Sequence, residues 1–233
     1  MPNWVVNKVS CSDMSKLMNL LVNEEGNVDF NKIIPRPKDL DIDAGFCDYS
    51  DIECEGLHSE KDVCELVIIK EFEKCYDEKT TQVKFIDKVM KNELVVKAIC
   101  KLKNFSNTSV SHIRTYIAGY FNLKRYGSIN WYNWALKNWG TKWNANTENV
   151  GSDVIEFQTA WSTPVPVYIK LSKELPDEVI EVTYADEDIG SNCGILRFKN
   201  GEVEEAVIDN PRQFACEVWG YDYAEYCKEC KEE

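Results

Sequence analysis

A strand-helix-strand pattern occurs twice in this chain, once at its start and once past its middle, and no other feature restricts the fold as strongly. "NWVVNKVSC" (3–11) alternates apolar and polar residues and is rich in valine, as a half-buried strand is. "SDMSKLMNLLVNEEG" then places Met14, Leu17, Met18 and Leu21 at helical spacing, with Ser12 or Asp13 as the cap and Gly26 as the stop. "VDFNKIIP" (28–35) reads as a second strand, ended by Pro35 and Pro37. The theme returns in "VIEFQTAW" (154–161), a proline-started helix "PVPVYIKLSKEL" (164–175) and the strand "EVIEVTYADE" (178–187). A hairpin follows, because Asn200-Gly201 between two strand-like runs suits the positive backbone angles of a type I′ turn.

Two such units predict an α+β fold: a ferredoxin-like split β-α-β antiparallel sheet with a large helical insertion and a C-terminal helical tail. Residues 1–42 and 145–209 form the discontinuous core. Residues 43–144 form the insertion, helical and richer in lysine and cysteine. Ser59-Glu60-Lys61-Asp62 is a capping-box pattern, Thr80 or Thr81 opens the next helix, 109–125 carries one apolar stripe closed by Gly127, and Ser128 caps a fourth helix. Residues 210–233 form an acidic helix opened by Asn210-Pro211.

The formal charge of -13 disfavours direct nucleic-acid binding, since a duplex backbone is repelled unless basic groups gather on one face. Residues 201–233 hold ten carboxylates against three basic side chains, a solvated face or a patch for a basic partner. The opening "MPNWVVNKVSCSDMSK" has no secretory-signal pattern, and no apolar run approaches the roughly 20 residues of a membrane span. A cytoplasmic location in a bacterial host cell and no membrane partner are therefore expected. There the ten cysteines read as structural thiols. "CKEC" (227–230) has the spacing of half a zinc site without a second half, and Cys47, Cys54, His58 and Cys64 form only a loose set, so no metal and no cofactor are expected.

Catalytic signatures are missing. Gly140-Thr141-Lys142 fails as a phosphate loop because Ala135 stands where the first glycine belongs and Trp143 follows the lysine. His58 and His112 are the only side chains with an ordinary pKa near neutrality, and a hydrolase using an unrecognised carboxylate pair is left as a distant alternative.

"MPNW" at the start, "VDFNKIIPRPKDL" (28–40), "NWYNWALKNWGTKWNA" (130–145) and "IEFQTAWSTPVPVYIKLSKELP" (155–176) resemble the YubB/Api-type proteins of phages and plasmids. The likeness covers residues 1–40 and 128 to about 201. It implies a ferredoxin-like N-terminal region and a mobile-element origin, with an accessory or counter-defence role, and transfers no settled activity. The residue after Trp4, commonly cysteine in that family, is Val5 here.

Within the aromatic and amide cluster, Trp131 and Trp134 have helical spacing that suits packing, whereas Trp139, Thr141, Lys142 and Trp143 follow the helix. If the first and third strands are central neighbours, Asn3, Trp4 and Asn7 lie beside Gln158, Thr159 and Trp161. The expected site stacks a planar ligand on Trp139, Trp143 and Trp161, holds its anion with Lys142 and Arg197 or Lys32, and orients it with Thr141, Asn3 and Thr159. The alternative for the cluster is core packing. The expected function is sequestration, without turnover, of a small nucleotide-type ligand; the alternative is an acidic inhibitor of a host nucleic-acid-binding defence protein.

Overall fold

β1 (Trp4–Cys11) forms the middle of a six-stranded antiparallel sheet, although it is the first strand of the chain. A computed structural model describes residues 2–44, 60–103 and 109–229, the side chains of 60–66 and 229 excepted. After β1 come α1 (Met14–Leu21), α2 (Glu60–Cys75), α3 (Gln82–Met90), α4 (Glu93–Lys103), α5 (Val110–Tyr126), α6 (Trp131–Asn138), β2 (Asn146–Val150), β3 (Ile155–Ala160), α7 (Val165–Glu174), β4 (Ile180–Asp186), β5 (Cys193–Lys199), β6 (Glu202–Glu205), α8 (Pro211–Trp219) and α9 (Tyr223–Glu229). Two compact units result: residues Met1–Pro35 with Ala135–Glu233, and residues Arg36–Trp134. Residues 135–144, which composition groups with the insertion, thus belong to the sheet-bearing unit.

In that unit the strand order is β2-β3-β1-β4-β5-β6. Its first four strands have the ferredoxin-like arrangement, and the β5–β6 hairpin extends it beyond β4. Register pairs Val5 with Thr159 and with Asp186, and Asn7 with Phe157 and with Tyr184. Strand alternation turns Val5, Asn7 and Val9 to one face, all fully buried. Leu17 and Leu21 of α1 and Val167, Tyr168, Leu171 and Ser172 of α7 are the buried positions of the two helices. The opposite face carries Val6 and Ala185, covered by Ala215 and Val218 of α8. Asn200 and Gly201 both have positive φ (47° and 87°), as the hairpin reading requires.

The strand expected over 28–35 is not formed. Asp29 caps a single 3-10 turn at Phe30–Lys32, and Val28 makes only an isolated bridge to Val22. Side chains take the amides a ladder would need: Thr147 Oγ1 accepts from Val28 N and Asn144 Oδ1 from Phe30 N, each at 2.9 Å. The second strand of the ferredoxin pattern is instead β2, so the helical stretch interrupts the chain between α1 and β2.

The other unit is helical. Ile68, Phe72, Phe85, Val89, Ile99, Tyr116, Ile117 and Phe121 form its core, with Phe72 edge-on to Phe85 at 5.6 Å. Thr81 caps α3, and Gly127, at φ 63°, ends α5. The helix opened by Thr81 stops at Met90, because Asn92 accepts from the amides of Leu94 and Val95 and starts α4. The capping-box pattern at Ser59 falls partly outside the described residues.

Candidate functional site

The turn after β3 carries an unusual backbone. Trp161 has φ 72°, in the left-handed region that glycine and asparagine occupy cheaply and a bulky residue does not. Both of its peptide groups are held: Trp161 N donates to Asn3 O at 2.9 Å, and Asn192 Nδ2 donates to Trp161 O at 3.0 Å. Asn192, itself at φ 41°, also donates to Asp186 Oδ2 at 3.1 Å, while Asn3 Nδ2 reaches Asp186 Oδ1 at 3.3 Å. Asp186, 6% exposed, thereby fixes the two residues that hold Trp161. The indole is only partly buried, with 39% of its surface exposed.

Beneath the turn lies a buried polar network. Asn7 donates to Val5 O at 3.0 Å and to Thr159 Oγ1 at 2.9 Å, and its Oδ1 accepts from Thr163 Oγ1 at 2.6 Å and from the Tyr168 hydroxyl at 3.3 Å. The Thr159 hydroxyl in turn donates a hydrogen bond to Ser162 O at 2.8 Å. Every member has a partner, which is what allows such a network inside a core. Burial drives the Tyr168 phenol far up, against the opposing bond from Thr163, so it stays a neutral donor.

Opposite this turn, α6 ends and residues 139–143 run past it. Thr141 is fully buried and donates to Ala160 O at 2.8 Å; the Ser162 hydroxyl donates to Gly140 O. Gly140 has φ 79°, and a Cβ there would lie 2.8 Å from Pro166 Cδ, so the close approach of the two segments requires glycine. Tied at these points, Lys142 places its ammonium 4.4 Å from the Trp143 ring centre and 5.0 Å from that of Trp161. Trp4 adds a third indole, 5.9 Å from Trp143 and tilted by 39°. The assembled group is an ammonium between two half-exposed indoles, with a third behind.

Lys142, Trp143 and Trp161 are thus brought together as expected, and Asn3, Thr141 and Thr159 support them. Thr141 and Thr159 are fully buried and act on the protein's own backbone rather than on anything at the surface. Three other expected residues serve elsewhere. Trp139 is core: its Nε1 donates to Ile34 O at 2.9 Å and its ring stands edge-on to Phe30 at 5.8 Å. Lys32 donates to Asn19 O at 2.7 Å and to Val22 O, satisfying carbonyls at the end of α1. Arg197 pairs with Glu181 at 2.8 Å, and its β5–β4 register lies toward the end of the sheet opposite Asp186. Trp4, expected beside this strand end but not in the stacking set, joins the site through the β1–β3 register; Asp186 and Asn192 were not among the expected residues, and only the turn geometry reveals them.

Comparison with known proteins bears on this region.

Residues 138–224 match the family model of the ferredoxin-like domain in Api92-like protein.

The match spans the turn, the Lys142 segment and α8, and agrees with the sheet described above. Among solved structures, the protein api92 from Yersinia pseudotuberculosis is similar at 11% identity, over 89% of this chain and 99% of that one, with a TM-score of 0.36. No curated protein matches the chain.

Among the described residues, no three His, Cys, Asp or Glu side chains converge as metal ligands. Cys47, Cys54, His58 and Cys230 lie outside those residues, as does the side chain of Cys64. No described helix is long and apolar enough to cross a membrane. The site presents two partly exposed indoles with one ammonium held over both rings.

Proposed function

We propose that the chain is a binding protein that sequesters a small, planar, anionic ligand of the nucleotide type at Trp4, Lys142, Trp143 and Trp161, without turning it over. One observation carries the reading: Trp161 is held in a backbone region that disfavours a bulky residue and still keeps 39% of its surface exposed beside the Lys142 ammonium. Strained backbone held by surrounding hydrogen bonds is concentrated at functional sites, where it serves preorganisation. Indole faces stack on a base, and the Lys142 ammonium meets a phosphate. Asp186, Asn3 and Asn192 position Trp161 and do not touch the ligand.

The resemblance at "WGTKW" and "TAW" suggests an accessory gene of a phage or plasmid, and a captured host signal in a bacterial cytoplasm would fit a counter-defence role. The test has two arms. Protein purified from a host with active defence systems is denatured and its supernatant searched for a released nucleotide by mass spectrometry; a nucleotide panel is then titrated calorimetrically. Lys142→Ala should weaken binding by about 1.5–3 kcal/mol, the range for charged hydrogen bonds, with an unchanged melting curve. Recovery of no ligand, and no heat from any nucleotide, would remove the proposal.

A further inference from the structure

We infer that a hollow at the end of α8 binds an arginine side chain of a partner protein. The hollow has a volume of about 460 Å³, and among the described residues it is lined by Gly220, Tyr221, Asp222, Glu225 and Tyr226. None of these belongs to the Lys142 site.

One wall is held in place by identifiable contacts. α8 ends in a Schellman motif: Gly220, at φ 78°, donates to Glu217 O at 3.2 Å, and Tyr221 N donates to Cys216 O at 2.8 Å. Trp219 is anchored by its Nε1 bond to Asp186 O at 2.9 Å and by packing against the Ala185, Ala215 and Val218 cluster. Tyr221 stacks on that fixed indole, 6.2 Å between centres and 11° from parallel, while remaining 52% exposed. The floor comes from α9, whose start is set by Asp222 Oδ1 accepting from Glu225 N at 2.9 Å. Residues 222, 225 and 226 are spaced i, i+3 and i+4, so both carboxylates and the second phenol ring share one side of that turn.

Carboxylates alone on this segment would be a solvated face. Here, among the described residues, two of them border a concave space that Tyr221 and Tyr226 also line, with Gly220 at the turn. That combination selects a cation able to stack as well as to donate hydrogen bonds. Guanidinium does both: it lies flat on a ring and offers paired N–H groups to a carboxylate, whereas an ammonium is a compact, strongly hydrated point charge. Asp222 caps α9 with one oxygen, and a carboxylate has capacity for several donors. Charge complementarity favours a basic protein as the source, since residues 201–233 carry ten carboxylates and three basic side chains.

The experiment compares a fluorescently labelled arginine peptide with a lysine peptide of equal length and charge, by anisotropy at physiological salt with the full chain. The arginine peptide should bind about tenfold tighter. Tyr221→Ala and Glu225→Gln should each abolish that preference, and Asp222→Ser, which keeps a capping oxygen, should reduce it. Equal binding of the two peptides, no binding of either, or a preference that survives both Tyr221→Ala and Glu225→Gln would overturn the assignment. Nucleotide binding at Lys142 is read with a different ligand, so either proposal can fail alone.

Discussion

Asn192 donates its side-chain amide to the carbonyl of Trp161 across 31 positions of sequence, and with Asn3 on the amide side it holds a tryptophan in a backbone region where glycine is the ordinary occupant. The strain and the exposure of that indole together separate an energetic cost from a packing benefit. They also make the site testable by a substitution that should improve the fold.

Trp161→Gly relieves the left-handed strain and removes one stacking surface. Thermal denaturation should show stability equal to wild type or higher by about 1 kcal/mol, while nucleotide affinity falls at least tenfold. A marked loss of stability would make Trp161 a packing residue and leave the site without its main support.

Asn7→Leu should be far more damaging. It strips the acceptor from the Thr163 and Tyr168 hydroxyls and the donor from Thr159, all buried. Urea unfolding should register a loss of about 3 kcal/mol. A cost below about 1 kcal/mol would mean that the network is replaceable by apolar packing.

Trp139→Phe keeps a ring against Phe30 but leaves Ile34 O without its indole donor. Stability should drop by about 1–3 kcal/mol, with ligand affinity of the folded protein unchanged. Weaker binding at undiminished stability would return Trp139 to the stacking surface.

Acid sensitivity should trace in part to Asp29. Partial burial alone would raise its pKa, but amide donors from Asn31 and Asn144 outweigh it and hold the carboxyl below its ordinary 3.8. A depressed folded-state pKa contributes stability that is complete above the unfolded value and is lost as pH falls through the folded one. As pH falls below about 4, wild type should therefore lose more stability than Asp29→Asn, measured by unfolding at each pH. Parallel curves would contradict this.

How much of this was legible depended on how local each cause is. β1, β3, β4 and the hairpin turn were readable because alternation and Asn200-Gly201 act over a few residues. β2 was not: as the edge strand "NTENV" it is largely exposed and needs no apolar alternation. The strand expected at 28–35 failed because its amides are claimed by Asn144 and Thr147, more than a hundred positions away. In the site, clustering in sequence revealed Lys142 and Trp143. Trp4 enters through strand register, and Asn192 through a backbone angle at another residue. Lys32 has the right charge for an anion site, yet its ammonium is bound to carbonyls of α1 and the following residue.

The sheet's central strand is made first and paired late. Asn7 faces Phe157 across 150 positions, and both neighbours of β1 come from beyond residue 150. At synthesis rates of about 5–20 residues per second, that wait lasts roughly 8–30 s. For this interval the growing polypeptide displays a valine-rich segment with neither flank paired, a template for unwanted association on the ribosome. Yield in cells should then be governed more by chaperone supply during translation than by the equilibrium stability of the finished molecule.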